Sequence, residues 1–414
     1  MKARSRERLV ADWRVNPVNV AIDWDVLHGR MDSCPWSPAA RAAGLWAIEV
    51  LREELGPRWP RAWRAPENTP PELARSAHLL SAYVATLELA LALRRIRAVP
   101  GARAIRDTIR STARYDALMS PRLQMRVATV ALAGSIEVEI EPTMPDAQTP
   151  ADLLLTHDGV SCTVEMLAVM RDAKTLDADR WLETISDRLR RIGQRHNVEF
   201  RGRVETPLDK QRSAELLDEV ERHASATAQG LELPEIQIEG VAVTTVRSKR
   251  GGGGTSFDLP RIDYAKRILD KLGDKAEQAQ RSAASWIVAD WTDHLWHMTA
   301  WGAQTLEEKG NALAALIRSG LDNDRHIRGV VISDGGVLMR PDIPEQTVQL
   351  PDGAIAVSRQ IDSWHTRESV IIPVQPHTTD CAQLWLKILD GERNWATREL
   401  AIHGLEPPSE LPKI

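Results

Sequence analysis

Residues 150–167 read Pro150-Ala-Asp-Leu-Leu-Leu-Thr-His-Asp-Gly-Val-Ser-Cys-Thr-Val-Glu-Met-Leu167. Asp152-Leu-Leu-Leu155 is a short strand, and His157-Asp158-Gly159 is turn chemistry. Ser161 to Val169, rich in β-branched and apolar residues, is the strand that follows. The two strands form a hairpin. On the second, Thr163, Glu165, Leu167 and Val169 share one face, while Cys162, Val164, Met166 and Ala168 share the other. Asp152 at the start of one strand and Glu165 in the middle of its neighbour are thereby brought together. Mg²⁺ is commonly held by one or two carboxylates with waters and phosphate oxygens. A metal so held activates water and stabilises charge on a phosphodiester. The purely structural reading of the same residues is an Asp that caps a strand and a Glu that faces solvent or pairs with Arg.

Outward from the hairpin, the grammar changes on both sides. Upstream, Ile136-Glu-Val-Glu-Ile-Glu141 alternates strictly and is a strand with one apolar face. Before it, helical spacing predicts Pro38–Leu55, Pro71–Arg97, Ala102–Leu118 and Pro121–Ala133, the last stopped by Gly134. Downstream come a helix from Asp177 to Arg195, a strand at Val198–Val204, a helix at Lys210–Ala228 and a strand at Ile236–Val246. A helix at Arg261–Ala284 then opens onto a strand at Trp286–Ala289. Thr305 with Glu308 forms a capping box, and further strands are expected at Ile327–Ser333 and Ser369–Val374. The class is α/β.

Pro150-Ala-Asp152, His-Asp-Gly, and Thr-Val-Glu165-Met-Leu167 together resemble the core motif of the PD-(D/E)XK, or restriction-endonuclease-like, nuclease superfamily. The helix ending at Gly134, the Ile136 strand, the hairpin, the helix after 177 and the strand at 198 match that family's αβββαβ order. The resemblance covers about 85 of 414 residues. It implies a mixed-sheet nuclease core, with Asp152 and Glu165 holding Mg²⁺ or Mn²⁺ and hydrolysing DNA or RNA. The family's Lys, two residues beyond the Glu on the same face, is replaced by Leu167. Its amine helps orient the attacking water and stabilises charge in the transition state. Lys174, just past the strand, is the candidate substitute, and Arg171, always charged, would make a poor base. Gln124 stands roughly where a helix Glu of the family is expected. The alternative is a catalytically degenerate member that binds nucleic acid or acts as a scaffold.

Two other basic features bear on nucleic acid. Arg103, Arg106, Arg110 and Arg114 recur at steps of three and four, on one helical stripe that could track phosphates. Asp107 can pair within that stripe, which makes it equally a salt-laced solvated helix. Arg247-Ser-Lys249-Arg250 precedes Gly251-Gly-Gly-Gly254-Thr-Ser256, a basic glycine-rich loop whose amides could cradle an anion. It lacks the order of a P-loop. Asp290-Trp-Thr-Asp293-His294-Leu-Trp296-His297 gathers carboxylates and imidazoles, but a turn packed by Trp is the preferred reading over a metal site.

Composition supports a folded chain: 43% hydrophobic and 27% charged, net −5, with 43 Arg against 10 Lys and 14 Trp against 2 Phe and 3 Tyr. Residues 1–130 hold 21 basic and 13 acidic side chains, so a basic first part joins an acidic remainder. Three distant cysteines build no disulfide framework and point to a reducing cytoplasm. The N-terminus has no apolar signal region, and the most apolar stretch, Leu79–Leu93, carries Glu88 and is too short for a bilayer. The expected organisation is a basic, Trp-rich helical region at 1–120, a nuclease-like core at 121–205, and an α/β region at 206–414 carrying loop 247–256. The expected setting is a cytoplasmic, bacterial-type nuclease in defence or on a mobile element, with no membrane partner.

Overall fold

Among the described residues, the regular elements before residue 137 are helices and the first strand begins there, as the change of periodicity requires. In this computed structural model the described residues are 23–57, 59, 80–112, 115–143, 150–169, 173–248, 254–258, 264–279, 285–291, 305–321, 324, 326–333, 337–338, 345–362, 365–375 and 379–408. The first helices are α1 (Trp24–Asp32), α2 (Pro38–Leu55), α3 (Leu80–Ile96), α4 (Ala102–Ser111) and α5 (Tyr115–Ala133). Asp23 caps α1 by accepting the Val26 N–H; Ser37 caps α2 by accepting from Ala40, with Pro38 in the first turn. The helix expected to run from Ala102 to Leu118 stops at Ser111. The next begins at Tyr115 rather than Pro121, which lies inside it and costs one backbone donor without ending the helix.

β1 (Glu137–Ile140), β2 (Leu153–His157) and β3 (Val160–Val169) are antiparallel neighbours. The β2–β3 turn is Asp158-Gly159, with φ of 50° and 80°. Both central residues are left-handed, as a two-residue type I′ hairpin requires. That turn pairs His157 with Val160 and fixes every pair down to Leu153 opposite Val164. Asp152 and Glu165 are the next step of the same register.

Here the structure departs from the expected core. Strand β3 runs parallel to β8 (Ser285–Trp291), and β8 parallel to β9 (Ile327–Ser333). The helix preceding β8 is α8 (Tyr264–Ala279). The main sheet continues through β13 (His365–Pro373), β12 (Ile355–Asp362) and β11 (Gln346–Gln349), with the short β10 (Val337–Leu338) on β13. One of its faces is covered by the N-terminal helices with α10 (Thr379–Gly391) and α11 (Trp395–Ile402), in one continuous apolar core. Cys162, Val164 and Met166 of β3 and Trp286 and Val288 of β8 point into that core. Helix α9 (Leu306–Leu321) packs on β12 and β13, opened by the expected Thr305–Glu308 capping box. Trp24 and Trp59 stack at 6.1 Å and are buried, so these two indoles fill core.

The helix and strand expected to complete the core lie elsewhere. α6 (Ala173–His196), β4 (Val198–Val204), α7 (Lys210–Ala228), β5 (Ile236–Ile238), β6 (Val241–Arg247) and β7 (Thr255–Asp258) build a second sheet, ordered β5-β6-β4-β7. Its core sets Val198, Phe200 and Val243 against Trp181, Ile185 and Leu189 of α6 and Leu216 and Val220 of α7. The chain thus divides into unit 1, residues 1–170 and 268–414, and unit 2, residues 171–267. The expected boundary at 205 falls inside unit 2, and the described helices of the expected 1–120 region share the core of the main sheet. The physical reason is strand pairing: Val198–Val204 finds its ladders in Val241–Arg247 and Thr255–Asp258, while β3, paired with β2 on one edge, takes β8 on the other.

Candidate metal centre

The type I′ turn sets Asp152 across from Glu165, and the hydrogen bonds lock it there. Asp152 Oδ2 accepts the Met166 N–H at 2.6 Å, so on the β2 side the carboxylate continues the hairpin's bonding past its last pair, Leu153 with Val164. The Asp152 carbonyl accepts from Gln124 Nε2 at 2.6 Å and from the Glu141 N–H at 3.0 Å. Gln124 therefore lies beside the site, as its position on the preceding helix suggested, although as a neutral donor to backbone. Next to Glu165, the Thr163 and Ser285 hydroxyls meet at 2.9 Å and tie β3 to β8.

The third group is Lys275 of α8. Its Nζ lies 3.0 Å from Glu165 Oε2 and 3.1 Å from Asp152 Oδ2. Glu165 is 6% exposed. Leu167, two residues beyond Glu165 on its strand face, leaves the amine position of the resembled motif aliphatic, and Lys275 supplies an amine from another element. Lys174 lies in α6, in unit 2, and is exposed. Arg171 is outside the described residues.

The sequence held a signal for Lys275. Ile268, Leu272, Ala276 and Ala279 are the buried stripe of α8, and position 275 falls within it at helical spacing. A lysine on an apolar stripe needs an anionic partner inside. The helix is further held by the Ala276 carbonyl, which contacts a His326 ring nitrogen at 2.9 Å.

Electrostatics follow from two carboxylates and one ammonium in a half-closed site. Burial pushes the Glu165 carboxyl above its ordinary range; Lys275 pulls it down and Asp152 pushes it up, and the net shift is upward. Burial alone would lower the Lys275 ammonium, but Asp152 and Glu165 outweigh it and hold it above the ordinary lysine value. Glu141, just past β1, is also raised, by burial and then by the Asp152 charge. The donors fit a hard divalent cation. Two carboxylate oxygens already converge on one positive centre, and oxygen ligands with waters are what Mg²⁺ takes. Among the described residues no group of three or more His, Cys, Asp or Glu is placed to hold an ion.

The other sequence candidates are scattered. Arg106 pairs with Glu54 at 3.3 Å, and Arg110 donates to the Glu54 carbonyl at 2.7 Å, so both contact α2. Arg103 is solvent-exposed and pairs with Asp107. Arg247 ends β6 and is exposed, and the loop it opens returns as β7 beside β4. Arg114, Lys249, Arg250, Gly251–Gly253, Asp293, His294, Trp296 and His297 lie outside the described residues. Among the described residues no helix is long and apolar enough to cross a membrane. No family model matches the chain, and neither a curated protein nor a solved structure matches it.

Proposed function

We propose that the chain is a metal-dependent nuclease with a restriction-endonuclease-like core, in which unit 2 is inserted between the third strand and the crossover helix. The observation that carries this reading is the approach of Lys275 to both Asp152 and Glu165. On this reading the αβββαβ order is α5, β1, β2, β3, α8 and β8, and the lysine of the motif has moved from the strand to the helix. The order of elements and the parallel β3–β8 pairing support it.

In this mechanism Asp152 and Glu165 would hold Mg²⁺ or Mn²⁺, which when bound would supply water activation and charge neutralisation at a phosphodiester. Asp152 is oriented by the Met166 N–H, so its carboxylate is pre-positioned. Lys275 orients the attacking water and faces the negative charge that builds on the scissile phosphate. The substrate is DNA or RNA, with Arg103 and the 247–256 loop as candidate phosphate contacts, and the setting is the cytoplasm of a bacterial-type cell.

The test is incubation with single- and double-stranded DNA and RNA in Mg²⁺ or Mn²⁺. Cleavage by the wild type that is lost in Asp152→Ala and Glu165→Ala supports the reading. Cleavage unchanged in both variants, or absent in the wild type with every substrate, overturns it.

A further inference from the structure

Lys275 occupies the space between the two carboxylates. A Mg²⁺ ion sits about 2.0–2.1 Å from its oxygens. The Lys275 nitrogen is 3.0 Å and 3.1 Å from Glu165 Oε2 and Asp152 Oδ2, so an ion bound to those oxygens and the ammonium cannot share the position. Like charges at such separation also repel strongly where water is scarce. Asp152 Oδ2 is engaged a second time by the Met166 N–H, which keeps it from turning away with the lysine.

We propose that Lys275 is a built-in counter-ion that competes with the metal for Asp152 and Glu165 and must withdraw its ammonium before the site loads. This inference rests on the reading of those carboxylates as metal ligands. The lysine stem has four rotatable bonds, so the ammonium can leave the carboxylates while α8 stays in place. The position it vacates goes to the ion, and the short swing leaves the ammonium beside the loaded site, where it can meet a phosphate oxygen. Metal affinity without substrate is therefore held down by the protein's own cation. Removing that cation should strengthen metal binding even as it removes a group used in cleavage. A lysine with a purely catalytic role gives no such gain.

The experiment is titration of the 414-residue chain with Mn²⁺ alone, followed by calorimetry and by the electron paramagnetic resonance signal of free Mn²⁺. Wild type is compared with Lys275→Met, Lys275→Gln, Lys275→Arg and the double variant Lys275→Gln with Glu165→Gln. The expected result is affinity at least about tenfold higher in both neutral variants. Lys275→Arg, which keeps the charge, is expected within about threefold of wild type, and binding is expected to vanish in the double variant. Lys275→Gln keeps a hydrogen-bond donor and serves if Lys275→Met does not fold. Equal or weaker Mn²⁺ binding in the folded neutral variants overturns the competition while leaving the metal site standing. No Mn²⁺ binding in any variant overturns the metal site, and the competition with it.

Discussion

Lys275 Nζ lies 3.0 Å from Glu165 Oε2, although the whole of unit 2 separates the two residues along the chain. The contact makes α8 the element that completes the hairpin's chemistry. A long insertion between them is compatible with that geometry because β3 and β8 are held together by their own ladder and not by the connection.

If the amine is required for its charge rather than for its place in the chain, it can be moved. Leu167 shares the strand face of Glu165, and Leu167→Lys sets an ammonium where the resembled motif carries one. Lys275→Met should reduce cleavage about 100-fold or more, the range of a single proton-handling or charge-stabilising group. Adding Leu167→Lys should recover at least about tenfold of that loss. Steady-state rates on the preferred nucleic acid would decide; no recovery in a folded double variant counts against the assigned role.

The hairpin turn should control both stability and site geometry. Gly159 has φ of 80°, and Gly159→Ala places a Cβ in the left-handed region. The expected cost is about 1 kcal/mol of unfolding free energy. A larger insertion of one residue after Gly159 would slip the register and carry Glu165 to the opposite face, abolishing Mn²⁺ binding. Denaturant unfolding and calorimetry read the two effects separately.

The arginine stripe divides into structural and free-facing members. Glu54 is buried and meets Arg94 at 3.2 Å, Arg106 at 3.3 Å and Arg97 at 3.6 Å. Glu54→Ala leaves these guanidiniums without their common anion and should destabilise the fold by about 2 kcal/mol, less than a fully buried pair because the arginines are partly hydrated. Arg103→Ala should change stability by less than about 0.5 kcal/mol. If Arg103 tracks phosphate, its removal should also lower the salt dependence of nucleic-acid binding by about one counter-ion. An unchanged salt slope would make Arg103 a solvated surface charge.

Unit 2 carries its own pH dependence. His223 of α7 is lowered from its ordinary value, first by burial and then by Arg222. A depressed histidine favours the neutral form in the fold, so the unfolded chain binds more protons as the pH drops below about 6.5. The stability is present above that value and lost as pH falls through the ordinary and then the folded pKa. His223→Gln should flatten the decline in unit 2 melting between pH 7 and pH 5, measured by differential scanning calorimetry. An identical decline in both proteins would refute it.

What the sequence determined by itself is local. Alternation fixed β1, the Asp158-Gly159 turn fixed the hairpin register, and that register alone set Asp152 across from Glu165. Period two and a two-residue turn leave no other arrangement for residues so close in the chain. What only tertiary structure decided is which helix and strand follow β3. Val198–Val204 alternates apolar and polar residues and Ser285–Trp291 is a mostly apolar run; both patterns give strands after helices, but neither names the ladder it will join. The choice rests on partners far away in sequence: β6 for one, β3 and β9 for the other. With that choice went the amine, because Lys275 reaches the carboxylates from α8, the helix that leads into β8. Its place on an apolar stripe announced a buried partner; its identity required the fold.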